Sequence, residues 1–322
     1  CPQAPPTSSH HKETAFMTTH AAAPAGAPKG NEGHRFFIAP LRHTKTLYLI
    51  RHGEGYHNLF GEVDREMYRL EKFADAHLTP KGWDQCYSLK KHLGAAKVHD
   101  DKASLVDRLE LVVVSPLMRA LETAVGCLGG DGLADASPTS AVPPLMLATE
   151  AVDEVRPGHA AVGPYMGAVR APLAFVACEL CREHIGKNPC DRRRPTSEYR
   201  AMFPGVDFSC ITEEEDVLWG TMNESNEMMC ERSHRFMEWI MRRPEQHIAV
   251  VTHSAFMAAM LREFGATDQL GCTAEVKEEM HRWPNNCEMR PVVVVDPSGG
   301  GGMEPMFFPG GDEGITWAAE AE

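Results

Sequence analysis

The sequence has no run approaching the roughly 18 consecutive apolar residues that a membrane-spanning helix needs, so no membrane partner is expected. It has no excess of positive charge either. Its 32 Lys and Arg stand against 45 Asp and Glu, a net charge of −13. A nucleic-acid partner, which wants a basic face, is therefore not expected. The same charge repels anions at long range, so an anionic small molecule would have to be drawn in by a local positive pocket. Internal repeats are lacking. So is the short, dense cysteine spacing of a disulfide scaffold. Ten cysteines in 322 residues read instead as reduced, partly buried thiols in a reducing compartment. "CELC" (Cys178 and Cys181, with Cys190 downstream) has the spacing of half a zinc site or of a redox pair. The second ligand pair is missing, and no metal or cofactor is assigned.

Residues 1–34 hold two acids, Glu13 and Glu32, no arginine, and much Ala, Pro, Thr and Ser. Such a stretch is expected to be disordered. A transit-peptide remnant is the alternative, and the missing arginines weigh against it. The expected location is the cytoplasm, or a plastid or other organelle if the transit reading holds. A chain opening on Cys1 rather than methionine reads as a fragment, a processed form or an incomplete chain.

What is present is a chain of 43% hydrophobic content, enough for one large domain or two small ones. Residues 44–50, "TKTLYLI", read as a buried strand. "LELVVVS" to Ser115, "HIAVVTHS" at 247–254 and "RPVVVVD" at 290–296 read alike, and "LAFVACEL" at 173–180 is a possible fifth. None alternates, which suits strands covered on both faces by helices. Helical segments lie between them. "LTPKGWDQCYSLKKHL" starts with Thr79 as N-cap and Pro80 at the first helical position. "PLMRALETAVGCL" opens at Pro116. A long amphipathic segment runs from about residue 223 to 243, where Pro244 stops it. "SAFMAAMLREF" ends at Gly265. Strands alternating with helices predict an α/β fold, a three-layer α-β-α sandwich on a mostly parallel sheet. The expected organisation is a poorly ordered segment 1–43, a catalytic domain 44–296 and a Gly/Pro-rich tail 297–322. Within the domain, 129–172 reads as an insertion, either lid-like or a mobile surface loop.

The strand ends carry the chemistry. The first strand runs into Arg51-His52-Gly53. The second leads to Arg119 about one turn into the next helix, and a later one ends in Thr252-His253-Ser254. In open α/β sheets ligands bind at the carboxyl ends of the strands, where helix N-termini converge. Two arginines and two histidines gathered there suit a dianionic group.

"LYLIRHGEGYHN", "DAHLTPKGWDQC", "VVSPLMRALETA" and "AVVTHSAF", in this order over residues 46–296, resemble the successive motifs of the histidine phosphatase superfamily, the phosphoglycerate mutase-like fold. "CREHIGKNPCDRRR" and "SEYRAMFPGVDFS" are closer still to its eukaryotic phosphoglycerate mutase-like phosphatases. The resemblance implies a phosphoric monoester hydrolase, acting without metal or cofactor on a small phosphorylated metabolite. It implies His52 as nucleophile forming a phosphohistidine, Arg51 and Arg119 as clamps on the phosphoryl oxygens, and His253 as a further donor. Asn58 and Ser254 would contact the substrate, and Gly53 would let the phosphate approach the backbone. A carboxyl group must protonate the leaving oxygen. Glu183 and Glu179 are the candidates. Glu183 is preferred because relatives place the acid just after an arginine and shortly before a glycine. Glu122 is expected to orient Arg119, and Glu54 only to brace the loop. Arg192, Arg193 and Arg194 read either as a solvated face or as a substrate-recognising rim. True mutases of the family carry an E-R-H-Y-G-like stretch from which "REHIGKNPCDRRR" departs, which favours a phosphatase over a mutase. A catalytically silent binding protein on the same fold is the remaining alternative, and the intact set of four residues opposes it. The substrate and the oligomeric state stay open.

Overall fold

The structure is a computed structural model that describes residues 38–96, 104–130, 143–147, 173–265 and 272–296. Most of the 129–172 insertion, the tail from 297 and the segment to residue 37 lie outside these residues. Leu41–His43 forms a short 3₁₀ turn directly before the first strand.

Among the described residues five strands form one sheet: β1 (Thr44–Arg51), β2 (Leu111–Val114), β3 (Ala174–Ala177), β4 (His247–Thr252) and β5 (Met289–Val295). Their order across the sheet is β3-β2-β4-β1-β5. The pairs β2–β3, β2–β4 and β1–β4 are parallel. The pair β1–β5 is antiparallel. The unbroken apolar runs have the expected cause in β1, β2 and β4. Tyr48, Ile50, Val112, Val114, Ala249 and Val251 face one core. Leu47, Leu49, Leu111, Val113, Ile248 and Val250 face the other. The helices of the described residues are α1 (Tyr56–Gly61), α2 (Pro80–Ala95), α3 (Leu105–Arg108), α4 (Met118–Leu128), α5 (Thr196–Met202), α6 (Asn226–Met241), α7 (Ser254–Phe264) and α8 (Ala274–His281), and against the first core pack α2 and α4, through side chains such as Trp83, Cys86 and Leu121. Against the second pack α6 (Asn226–Met241) and α7 (Ser254–Phe264), through Phe236, Ile240 and Phe256. The result is the three-layer α-β-α sandwich.

Strand β5 departs from the expectation. It is an edge strand whose outer residues stay in contact with solvent, Val293 being 67% exposed. Its valine run reflects β propensity and not burial on both faces.

Helix starts are set by local chemistry. Thr79 Oγ1 accepts the Gly82 N–H at 3.0 Å, and Pro80 occupies the first helical position, where its missing N–H costs nothing. Helix α4 begins at Met118 instead of Pro116, because its first N–H is capped from a distance, donating to Asp75 Oδ1 at 2.8 Å. Every residue of α4 is buried, as expected of a helix apolar on most of its faces. Helix α6 starts three residues later than the sequence pattern suggests, where Ser225 Oγ accepts from Met228 N. Of the insertion, Leu145 and Met146 are buried in the first core, and Leu147 N donates to Met202 O at 2.8 Å. Among the described residues no helix is long and apolar enough to cross a membrane.

Candidate active site

Parallel pairing brings the strand ends together. Arg51 stands opposite Thr252, and Val114 opposite Val251. The next residues, His52, His253 and Ser115, therefore share one edge of the sheet, and His52 N donates to Thr252 O at 2.9 Å. The rings of His52 and His253 lie 5.0 Å apart, centroid to centroid.

His52 is buried, with Nδ1 2.6 Å from the carbonyl oxygen of Gly53. That oxygen can only accept, so Nδ1 carries the proton. Nε2 is then a lone pair, and it accepts Arg119 Nε–H at 3.2 Å. Burial above all, then the charges of Arg119 and Arg51, push the His52 pKa well below its ordinary value of 6.5. The ring is held neutral, with the lone pair of Nε2 facing a guanidinium.

Arg119 is buried at the start of α4. It donates to Asp191 Oδ1 at 2.7 Å and to Cys190 O at 2.5 Å. Burial opposes its charge, but Asp191 with Cys190 and Glu183 outweighs that and holds the guanidinium charged. Glu122, expected to orient Arg119, does something else. It accepts from Leu78 N at 2.7 Å and pairs with His77 Nδ1 at 2.6 Å, fixing the segment ahead of α2. The partner of Arg119 is Asp191. Asp191 is placed in turn by the Arg182 guanidinium, which donates to its carbonyl at 2.7 Å.

Arg51 donates to Pro284 O at 2.8 Å, while its buried Nε has no hydrogen-bond partner among the described residues. The same holds for Nδ1 of His253 and Nδ1 of His57. Buried polar nitrogens without partners are rare and need an explanation. Three of them stand on residues flanking His52. His253 fixes its other nitrogen against Ser115 Oγ at 2.7 Å. His57 did not stand out in the sequence. It sits in α1 (Tyr56–Gly61), its ring 5.7 Å from that of His52, and burial with the charges of Arg119 and Arg51 pushes its pKa well down. The signal available was a second histidine five residues after the first.

Glu183 accepts from Ala255 N at 3.2 Å and from Ser254 Oγ at 3.3 Å, at the N-terminus of α7. It is an electrostatic neighbour of both Arg51 and Arg119. Glu179 is tied elsewhere, to Arg182 at 2.9 Å and Arg193 at 2.7 Å. The structure thus brings Glu183 to the site and takes Glu179 into the scaffold. Ser254 touches Glu183, and Asn58 Oδ1 caps α1 by accepting from Gly55 N at 3.1 Å.

Gly53 has a reason the sequence did not show. A Cβ there would meet Gly82 O at 2.9 Å, so the residue is small because α2 packs on it. Its N–H donates to Thr123 Oγ1 at 2.9 Å. The triple arginine divides. Arg193 is buried, bound to Glu179, to Thr196 Oγ1 and to four backbone carbonyls, those of Arg194, Glu213, Glu214 and Glu215. It has no donor left for a rim and is neither solvated nor substrate-facing, which corrects both expectations. Arg194 pairs with Asp75 at 2.9 Å. Arg192 is half-exposed, pairs with Glu71 and lies over the Trp219 ring. Cys178 and Cys181 are buried, the Cys181 thiol donating to Cys178 O at 3.2 Å, so the pair folds a turn.

A family model described as "Histidine phosphatase superfamily (branch 1)" matches residues 194–292. Two curated relatives from Arabidopsis thaliana are each 40% identical. The "Phosphoglycerate mutase-like protein" aligns over 83% of this chain and 89% of its own length. The "Phosphoglycerate mutase-like protein 1" aligns over 81% and 85%. Among solved structures, the ecdysone phosphate phosphatase of Bombix mori is 15% identical, with a TM-score of 0.44, covering 85% of this chain and 98% of its own.

Proposed function

The chain belongs to the histidine phosphatase superfamily, and on that premise we propose that it hydrolyses a small phosphorylated metabolite through a phosphohistidine at His52. The observation that carries the reading is the state of His52: proton on Nδ1, lone pair on Nε2, and burial that keeps the ring neutral. A neutral nitrogen whose lone pair faces a guanidinium is a nucleophile set where an anion will rest. Phosphate oxygens would take over the Arg119 donor that now occupies Nε2, opening Nε2 to phosphorus. Arg51, Arg119 and the orphaned nitrogens of His57 and His253 would hold the equatorial oxygens as charge spreads over them. Glu183 would give a proton to the leaving oxygen. Its carboxylate would then take a proton from the water that attacks the phosphohistidine. The guanidinium groups supply the positive charge, so activity is expected to be unchanged in EDTA.

The test is a brief reaction with radiolabelled substrate, quenched in base. Acid-labile label is expected on the protein and absent from His52→Ala, with turnover of an aryl phosphate falling by about 10³-fold or more. Label that persists in His52→Ala would reject the assignment. The names of the relatives keep phosphoglycerate mutase chemistry as the second reading. Labelled 2- and 3-phosphoglycerate decide it, since a phosphatase releases inorganic phosphate where a mutase interconverts the two.

A further inference from the structure

Three cysteines that no step above uses meet behind the catalytic turn. Cys86 lies in α2, Cys127 in α4, and Cys287 in the turn ahead of β5. All three are buried, and their sulfurs lie within 4.8 Å of one another. Cys86 and Cys287 are 3.6 Å apart. Three sulfurs bound in a plane to one metal ion at about 2.3 Å stand about 4 Å apart, so the thiols already have the required spacing. Among the described residues this is the one group of three or more His, Cys, Asp or Glu side chains whose ligand atoms converge in this way.

A second observation concerns the backbone. Cys287 has φ 55°, a left-handed conformation that a β-carbon disfavours and that glycine or asparagine would normally fill. A cysteine stands there in spite of that cost. The Cys287 N–H donates to the carbonyls of Arg51 and His52, at 3.1 and 3.3 Å, and Asn286 Nδ2 donates to His52 O at 3.0 Å. The turn carrying Cys287 is thus the underside of the catalytic strand end. The other two thiols belong to the helix packed on Gly53 and to the helix that carries Arg119.

We propose that Cys86, Cys127 and Cys287 form a trigonal thiolate site for a soft monovalent metal ion, copper(I), which clamps α2, α4 and the catalytic turn together. The donor set chooses the metal. Thiolates alone select soft ions, and three-coordination suits copper(I), whereas structural zinc takes four ligands. Binding exchanges three S–H bonds for three Cu–S bonds, releases three protons and transfers no electron.

The site is independent of the phosphatase reading, and its test does not use turnover. The full chain is loaded with copper(I) without oxygen and challenged with excess bicinchoninate. A single copper ion per chain is expected to remain, with an X-ray absorption shell of three sulfurs at about 2.3 Å. Cys210 is exposed, and Cys230 and Cys272 are partly so. A variant with these three and Cys1 changed to serine is expected to keep the metal, while Cys127→Ser holds at least tenfold less. Should Cys127→Ser not fold, alkylation of the wild type during partial unfolding in urea decides instead, copper protecting Cys86, Cys127 and Cys287. Loss of copper from the serine variant, a two-sulfur shell, or alkylation of the three thiols unchanged by copper would overturn the site. A Cys86–Cys287 disulfide formed in place of uptake would do so too.

Discussion

Glu179 and Glu183 stand one helical turn apart in sequence but answer to different partners. Glu183 accepts the Ala255 N–H in the first turn of α7 at 3.2 Å, and Arg232 donates to its backbone carbonyl at 3.2 Å. A carboxyl group so fixed beside Arg51 and Arg119 can meet a leaving oxygen. Glu183→Gln is therefore expected to slow alkyl phosphates by about 10²–10⁴-fold and aryl phosphates, whose leaving groups need no proton, far less. Comparable losses on both substrate types, measured by phosphate release, would reject the role. Glu179→Gln should leave that ratio alone and weaken the pairing of two buried arginines, by about 1–3 kcal/mol in urea unfolding. Arg193→Ala belongs with it. The guanidinium ties the 213–215 segment to Glu179, so the loss expected is stability, about 3–5 kcal/mol, with KM unchanged. A raised KM with normal unfolding would restore it to the substrate rim. The preference for Glu183 rested on its neighbours in sequence. The pairing of Arg119 with Asp191 could not be read there, because it joins residues 72 positions apart through the fold. His57 was hidden for the opposite reason, standing so near the motif that it passed as part of it.

The elements act on the site through close packing of the strand end against α2. Glu54, two residues after His52, accepts from Thr79 Oγ1 at 2.8 Å and from Lys81 Nζ at 2.6 Å, while its carbonyl accepts Thr79 N–H at 2.8 Å. The bracing role expected of Glu54 is visible in these bonds. A Cβ on Gly82 would lie 2.3 Å from Glu54 O, so Gly82→Ala must push α2 off the turn. The expected cost is about 1–3 kcal/mol of stability, with a fall in kcat as His52 shifts relative to Arg119. A variant with wild-type kcat and unfolding midpoint would show that the packing can relax. Apolar runs in the sequence located four of the strands, offered 173–180 as a possible fifth and marked the main helices, because buried strands and capped helices write their physics locally. What it could not give was pairing. The Val292–Val295 run looks like its parallel counterparts, yet β5 pairs antiparallel at an edge. The start of α4 was likewise set by Asp75, 43 residues upstream. The three converging thiols come from positions 86, 127 and 287, a spacing that carries no local signature.

For the whole molecule the site is a stability liability with a definite sign. His52, His57 and His253 all have pKa values pushed well below 6.5, first by burial and then by the Arg119 charge. In the unfolded chain each would titrate near 6.5. Above that value neither state binds the protons, and the three contribute no pH dependence. As pH falls below it, the unfolded chain takes up protons that the folded chain refuses, so stability drops until the folded pKa values are reached. Each histidine adds a slope of up to about 1.4 kcal/mol per pH unit, so the three together approach about 4. Urea midpoints are expected to be level between pH 8 and 7 and to fall steeply from pH 6.5 to 5.5. His57→Gln should remove about a third of that slope. A midpoint that does not move over this range would mean that the three rings take up protons in the native state as readily as in the unfolded chain, and burial would then not be holding them neutral. Inorganic phosphate, by binding only the folded site, should raise the midpoint by mass action, and should do so much less in Arg119→Ala. A protein with a net charge of −13 has little other reason to be stabilised by an anion.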